Sequence, residues 1–170
     1  SLTIPGGHLL QAADTSKAGL ARMFAAMMNE DTKNFTAEQM QAELQKLGSS
    51  VSVSSGLDGI SFNVQSLRKN LDKTLALLEE RIFNPVFSEA AFNRLQKQTL
   101  ESFKLRKSQP ASIANDVLAK LSYGEGHILG ISETGTESSV KNLKLADVQN
   151  YYNNYMTSKD ARLVIVGDVK

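Results

Sequence analysis

The alternation of apolar and polar residues predicts short strands and amphipathic helices along the chain. Residues 2–4 are strand-like and lead into a Pro-Gly-Gly sequence, which is typical of a bulge or turn. Apolar residues then recur at helical spacing over residues 18–28, which indicates a first helix. Thr36, with Gln39 three residues later, forms a capping box and predicts a second helix that ends near Gly48.

The next segment has the pattern of a β-hairpin. Val51 and Val53 alternate with serines, and Ile60 and Phe62 alternate with polar residues. The residues between these two runs are mostly turn formers. Since successive side chains of a strand point to opposite faces, the alternation predicts two antiparallel strands with one buried face.

Four further helices are predicted, over residues 71–82, from Ser88 to the break at Pro110, over residues 113–121 and over residues 145–155. A glycine-containing loop is predicted over residues 124–136, and the apolar run at residues 163–166 predicts a final strand. Helices segregated from hairpin-connected strands indicate an α+β fold. We therefore expect a largely antiparallel sheet with the helices packed mainly on one face.

Composition narrows the classes of function. The 170 residues fit a single domain, residues 1–170, and a net charge of +1 gives no electrostatic reason to expect nucleic acid as a partner. The absence of cysteine excludes disulfides and thiolate metal sites, and no apolar run is long enough to insert into a membrane. Because strand-like runs lie close to both ends and no signal peptide is evident, we expect a segment excised from a longer chain.

The residues themselves predict no active site. The two histidines, His8 and His127, are far apart and have no second ligand at helical or hairpin spacing, so both are expected to be polar loop or surface residues. The serines of the hairpin lack a nucleophile elbow and a neighbouring histidine. Glu79 and Glu80 point in different directions on a helix and are expected to be solvated. The basic surface at residues 94–106 leaves phosphate binding as a weaker alternative.

The order of segments, however, resembles the insulinase (pitrilysin) type of zinc peptidase, related to the mitochondrial processing peptidases. Residues 18–34 resemble the family stretch that contains His-x-x-Glu-His and then a Gly-Thr turn. By this resemblance, the two zinc-binding histidines and the general-base glutamate fall on Arg22, Ala26 and Ala25. The family's third ligand, a glutamate eight residues before a proline, falls on Ser102, with Glu101 beside it.

Other landmarks follow in the family's order and cover essentially the whole chain. They are Asn84-Pro85-Val86-Phe87 after a helix, Gly135-Thr136 before a helix, and the closing sequence Leu163 to Val169. The metal-binding chemistry is nevertheless missing, because arginine is a permanent cation and alanine has no donor atom. The resemblance therefore implies a domain with no catalytic and no metal-binding residues, with Arg22, Ala25, Ala26 and Ser102 at the positions of a lost zinc site.

The resemblance also implies a role and partners. A non-catalytic domain of a zinc metallopeptidase would form part of a chamber wall and contact peptide substrate, while a catalytic half or subunit of the same family holds the zinc. An edge strand of the hairpin, carrying Val51 and Val53 or Ile60 and Phe62, is expected to pair with an extended peptide. For a bacterial parent with two halves, the expected compartment is the periplasm.

Two other functions stay open from the sequence. One is a structural or assembly subunit of the same fold without a proteolytic role. The other is an enzyme in its own right, with a site that the motifs do not reveal. Stoichiometric zinc together with peptide cleavage by this chain alone would distinguish the last possibility from the other two.

Overall fold

A computed structural model describes residues 1–168 of the chain. Within that range the helices are α1 (Leu20–Met27), α2 (Ala37–Lys46), α3 (Leu71–Phe83), α4 (Glu89–Arg106), α5 (Pro110–Tyr123), α6 (Glu137–Asn142) and α7 (Leu145–Tyr155). The strands are β1 (Leu2–Pro5), β2 (Ser50–Ser55), β3 (Gly59–Gln65) and β4 (Arg162–Leu163). The predicted α+β fold is confirmed.

The four strands form one antiparallel sheet in the order β2-β3-β1-β4. Strand β3 pairs with β2 on one side, with Val53 opposite Phe62, and with β1 on the other, with Ile4 opposite Ile60. The side chains of these four residues are buried, whereas the serines that alternate with the valines of β2 are exposed or half-buried. One face of the sheet therefore carries the core, as the alternation predicts.

The helices cover that buried face. The main core cluster joins the inward side chains of the sheet to α1, α4 and α7, and includes Met23, Phe24, Met27, Phe92, Val148 and Tyr151. Local signals fix the helix ends: the Thr36 hydroxyl accepts from the Gln39 amide, the Ser88 hydroxyl accepts from the Ala91 amide, and Pro110 occupies the first turn of α5.

The last strand is shorter than the apolar run predicts. β4 contains only Arg162 and Leu163, although Val164 continues the pairing through two hydrogen bonds with Ser1, at 2.7 and 2.8 Å. Leu163 is 66% exposed and Val166 is 92% exposed. A continuous apolar run is buried only where a sheet is covered on both faces. Among the described residues, no strand or helix covers residues 163–166 on both sides. The predicted strand over residues 163–166 is therefore corrected to two residues.

Glu80 does not lie on a solvated helix face, which corrects a second expectation. Its side chain is 9% exposed and accepts hydrogen bonds from the main-chain and side-chain amides of Asn34, both at 3.0 Å, and from Asn84 Nδ2 at 2.7 Å. Burial by itself raises the pKa of Glu80, but these hydrogen bonds outweigh it and lower the pKa below its ordinary value of 4.5. The carboxylate thus ties α3 to the segment that precedes α2.

This lowered pKa predicts acid sensitivity. Because the pKa is lower in the folded than in the unfolded chain, Glu80 stabilises the fold above the ordinary value of 4.5, and this contribution disappears as the pH falls through the folded value. We expect the stability difference between the wild type and Glu80→Gln to shrink between pH 7 and pH 3, measured by urea unfolding. Glu79→Gln, the exposed neighbour, is the control and should show no such change; equal behaviour of the two variants would contradict the assignment.

Candidate functional site

The candidate site is a cleft of about 420 Å³ between α1, α4 and the loop before α6. Its lining residues are Arg22, Leu95, Gln98, Thr99, Ser102, Arg106 and Thr134. Arg22 and Ser102, two of the four positions that the family resemblance singles out, thus lie in one cleft although they are far apart in sequence. Ala25 is buried and Ala26 is half-buried, and neither lines the cleft.

Arg22 reaches the cleft because α1 presents it on the helix face opposite the core. Its neighbours Ala21, Met23 and Phe24 are buried, whereas Arg22 is exposed. Within residues 1–168, no carboxylate lies within ion-pair distance of Arg22, and its guanidinium has no hydrogen-bond partner. The cleft therefore contains a cation that the described part of the chain does not neutralise.

The opposite wall of the cleft is a polar stripe on α4. Leu95, Thr99, Ser102 and Arg106 recur at a spacing of three or four residues and so share one helix face. Arg106 is tied in place, since Nη2 donates to Asp116 Oδ1 at 2.8 Å and Nη1 donates to the Ser132 hydroxyl at 3.2 Å. The sequence singled out Ser102 and the basic surface over residues 94–106, but not Leu95 and Thr99, whose helical spacing from Ser102 is the signal that would have revealed them.

The hydroxyl groups of this stripe have directed hydrogen bonds. Thr99 Oγ1 donates to the Leu95 carbonyl at 2.9 Å, and Ser102 Oγ donates to the Thr99 carbonyl at 2.7 Å. Since each hydroxyl has one proton, the lone pairs of these two oxygens remain to accept hydrogen bonds. The Gln98 amide has no partner among the described residues and is exposed. The cleft thus offers cationic and amide donors beside hydroxyl acceptors.

These residues do not fit the zinc ion that the family resemblance implies. Zinc binds to imidazole, thiolate or carboxylate groups, and the cleft is lined by two guanidinium groups, three hydroxyls, one amide and one leucine. Glu101, the carboxylate next to Ser102, is exposed and does not line the cleft. Across residues 1–168, no group of three or more His, Cys, Asp or Glu side chains is placed to hold a metal ion.

The two histidines have different environments. His127 is exposed, as expected. His8 is 2% exposed, and its Nε2 lies 2.9 Å from the carbonyl oxygens of both Ile128 and Ile131. Because carbonyl oxygens only accept hydrogen bonds, Nε2 carries the proton. The expectation of a surface His8 is therefore corrected: the ring fixes the loop before α6 to the start of the chain.

The free edge of the sheet at β2 is partly occupied. The Val53 amide donates to Asn29 Oδ1 at 3.0 Å, and its carbonyl accepts from Asn29 Nδ2 at 2.8 Å. The Asn29 side chain therefore makes the two hydrogen bonds that a paired strand would make there. Arg81 Nη1 donates to the same Asn29 Oδ1 at 2.6 Å, which holds the amide in this orientation.

Strand β3 is interior and has no free edge. Ile60 and Phe62 lie opposite β1 on one side and β2 on the other. An added peptide strand needs unpaired main-chain groups, so the prediction that Ile60 and Phe62 belong to a peptide-pairing edge is corrected. Of the two hairpin strands, only β2, with Val51 and Val53, has an outer side, and the main-chain groups of Val53 on that side are bonded to Asn29.

Comparison with known sequences finds a matching family model and related bacterial proteins. The family model described as insulinase, peptidase family M16, matches residues 1–130. The chain is 25% identical over 173 residues to the non-peptidase homolog YmxG of Helicobacter pylori. This match covers 99% of this chain and 38% of that protein. It is 20% identical over 151 residues to the uncharacterized zinc protease YmxG of Bacillus subtilis, covering 89% and 37%. The chain thus spans less than two-fifths of the length of these curated relatives.

Solved structures share the fold. A protease from Helicobacter pylori superposes with a TM-score of 0.86 at 22% identity, over 99% of this chain and 40% of that one. A peptidase M16 inactive domain from Pseudomonas fluorescens superposes with a TM-score of 0.79 at 22% identity, over 88% and 36%. Within residues 1–168, every helix is too short or too polar to cross a lipid bilayer. The chain belongs to the insulinase family, peptidase family M16, and is similar to its non-catalytic members.

Proposed function

We propose that this chain is a non-catalytic domain of an M16 metallopeptidase assembly, and that it forms part of the wall of a chamber in which peptides are cleaved. The observation that carries the proposal is the cleft that joins Arg22 and Ser102. By the family resemblance these residues fall on the positions of the first and third zinc ligands, and the residues that line the cleft include no imidazole, thiolate or carboxylate to bind zinc. A cleft of this size suits a peptide side chain or terminus.

The proposal places the zinc in a partner, either the other half of the same polypeptide or a second subunit of the family. Support comes from the share of the relatives that the chain covers, 38% and 37% in the two bacterial homologues, which leaves most of their length for other domains. One of these two YmxG proteins is a non-peptidase homolog, and the other is an uncharacterized zinc protease. Residues 1–170 would then be one domain of a larger molecule.

Reconstitution with a catalytic partner tests this function. The full-length protein is combined with an M16 protein from the same organism that has an intact His-x-x-Glu-His, and chelator-sensitive cleavage of a quenched fluorescent peptide is measured. We expect cleavage to increase at least tenfold over the partner alone, and no cleavage by the full-length protein alone when it lacks such a motif. A stable complex with an unchanged cleavage rate would support the structural or assembly role instead. Stoichiometric zinc and turnover on the isolated domain would overturn both.

The positions of the lost zinc site can be tested by rebuilding it. The triple variant Arg22→His, Ala25→Glu, Ala26→His lacks the third ligand, so we expect it to retain no stoichiometric zinc after dialysis, as measured by mass spectrometry. Adding Ser102→Glu supplies a carboxylate from α4, and the quadruple variant is expected to retain zinc. The matched control adds Ser108→Glu, on an exposed residue, to the triple variant. Zinc retained by the triple variant alone would show that the assignment of Ser102 is wrong.

A further inference from the structure

We propose that the cleft between α1 and α4 binds a carboxylate group of a peptide, with the Arg22 guanidinium as its partner. That the ligand is a peptide rests on the proposed function. The preference for a carboxylate rests on the residues themselves. The cleft is lined by Arg22 and Arg106, and none of its lining residues is acidic.

The two arginines contribute differently. Arg106 already donates to Asp116 and Ser132, so its charge is compensated. Arg22 has no carboxylate partner within residues 1–168. A guanidinium presents a planar set of N–H donors that matches a carboxylate in a bidentate arrangement. Arg22 is therefore the group that pairs with the ligand, and Arg106 shapes the wall.

The hydroxyls indicate what lies beside the carboxylate. Thr99 Oγ1 and Ser102 Oγ donate to carbonyls of their own helix, so the free lone pairs can accept a hydrogen bond from a ligand N–H. A peptide carries an amide N–H close to its carboxylate, whether the latter is the C-terminus or an acidic side chain. Small carboxylate anions such as acetate lack this combination. Leu95 adds an apolar contact for an aliphatic chain.

A close contact at the start of α1 fixes the helix that carries Arg22. Gly19, at the start of α1, approaches the main chain of Thr134 so closely that an added Cβ would lie 2.6 Å from the Thr134 carbonyl oxygen. Thr134 itself lines the cleft. The helix that carries Arg22 is therefore fixed against the loop that closes the cleft, and the distance between Arg22 and the α4 stripe is set by the fold rather than by flexible surface residues.

Binding of labelled peptides to the full-length protein tests the proposal. Four peptides of one sequence are compared by fluorescence anisotropy at low ionic strength, where a charge pair is least screened. They combine Glu or Gln in the penultimate position with a free or amidated C-terminus. We expect at least one carboxylate-bearing peptide to bind on the order of tenfold more tightly than the peptide with Gln and an amidated end. Comparing the two single-carboxylate peptides distinguishes the acidic side chain from the terminus.

The variants connect this preference to Arg22. Arg22→Gln should remove the tenfold preference, and Arg22→Glu should reverse it in favour of a peptide with Lys in place of Glu. Lys104→Gln is the matched control, since Lys104 is an exposed cation on α4 outside the cleft; it should keep the preference. Arg22 is exposed, so these variants are expected to fold, and circular dichroism checks this.

Three results would overturn the proposal. They are equal binding of all four peptides, no binding of any of them, or equal loss in Arg22→Gln and Lys104→Gln, which would mean a general effect of surface charge. The measurement uses neither a catalytic partner nor cleavage. A failure of the reconstitution experiment therefore leaves the carboxylate preference standing, and a failure here leaves the chamber-wall role to be judged by reconstitution.

Discussion

Replacing Gly135 by alanine is expected to lower the free energy of unfolding by about 3–5 kcal/mol, the sum of backbone strain and steric overlap. Gly135 has φ of 85°, in the left-handed region that alanine adopts only at a cost. Its Cβ would overlap the Ala18 carbonyl oxygen and lie 2.8 Å from Ser139 Oγ. Ala18 is fully buried and its carbonyl accepts a hydrogen bond from that same hydroxyl at 2.8 Å, so the neighbours have no room to move.

Two other glycines separate the strain from the overlap. Gly124 also has a positive φ, 92°, but an added Cβ would meet no atom within 4 Å. Gly126 has neither a positive φ nor a close neighbour. In urea unfolding we expect Gly126→Ala to be nearly neutral, Gly124→Ala to lose about 1–2 kcal/mol from backbone strain, and Gly135→Ala to lose most. Equal losses of stability in Gly124→Ala and Gly135→Ala would contradict the close contact between Gly135 and the Ala18 carbonyl.

Replacing Asn29 by alanine is the second large expected loss, about 3–5 kcal/mol. The Asn29 amide makes four hydrogen bonds, to the Ala25 carbonyl, to both main-chain groups of Val53 and to Arg81 Nη1. Arg81 is 4% exposed, and burial lowers its pKa while the nearby charge of Glu30 opposes this effect. Without Asn29 the buried guanidinium loses its hydrogen-bond acceptor, which is costly for a charged group.

The double variant Asn29→Ala, Arg81→Met identifies the source of that loss. Because it removes the buried charge together with its partner, we expect it to be more stable than Asn29→Ala alone in thermal and urea unfolding. Asn153→Ala, an exposed asparagine of α7, is the control and should be neutral. A double variant as unstable as the sum of its parts would show that Asn29 and Arg81 act independently.

The Asn29 variant also tests the edge of the sheet. Removing this side chain frees the amide and carbonyl of Val53, so β2 would expose a longer row of unpaired main-chain groups. If peptides pair with β2 in the chamber, binding of an extended peptide would increase in the Asn29→Ala, Arg81→Met protein. In the wild type, Asn29 therefore occupies main-chain groups that a peptide would need in order to pair with β2 at Val53.

Features with local causes could be predicted from the sequence. The capping residues Thr36 and Ser88, the break at Pro110 and the alternation of the β2–β3 hairpin each act within a few residues, and each is found in the structure. The α+β class follows from the order of these elements. Arg22 and Ser102 became candidates through the family order alone, since an arginine and a serine in two helices have no motif of their own.

Features that depend on distant partners could not be predicted. Glu80 was predicted to be solvated because its hydrogen-bond donors in Asn34 are distant in sequence. His8 was predicted to be exposed because its hydrogen-bond partners are carbonyls of the loop before α6. Ile60 and Phe62 are not on a free edge because β3 lies between two strands. The alternation of apolar and polar residues does not predict this strand order. The same holds for Thr134, which reaches the cleft through the close contact of Gly19.

The strand order also has a consequence for the rate of folding. β2 and β3 are joined by a short turn, but β1 pairs with residues about 60 positions away, and Ser1 and Val164 bond across a sequence separation of 163. Closing such long loops loses chain entropy before any contact compensates for it, and a high contact order slows folding. We therefore expect the β2–β3 hairpin and the helices beside it to form first. The ladder between β1 and β4 would close last, so its hydrogen bonds would be the latest amides to gain protection from exchange during refolding.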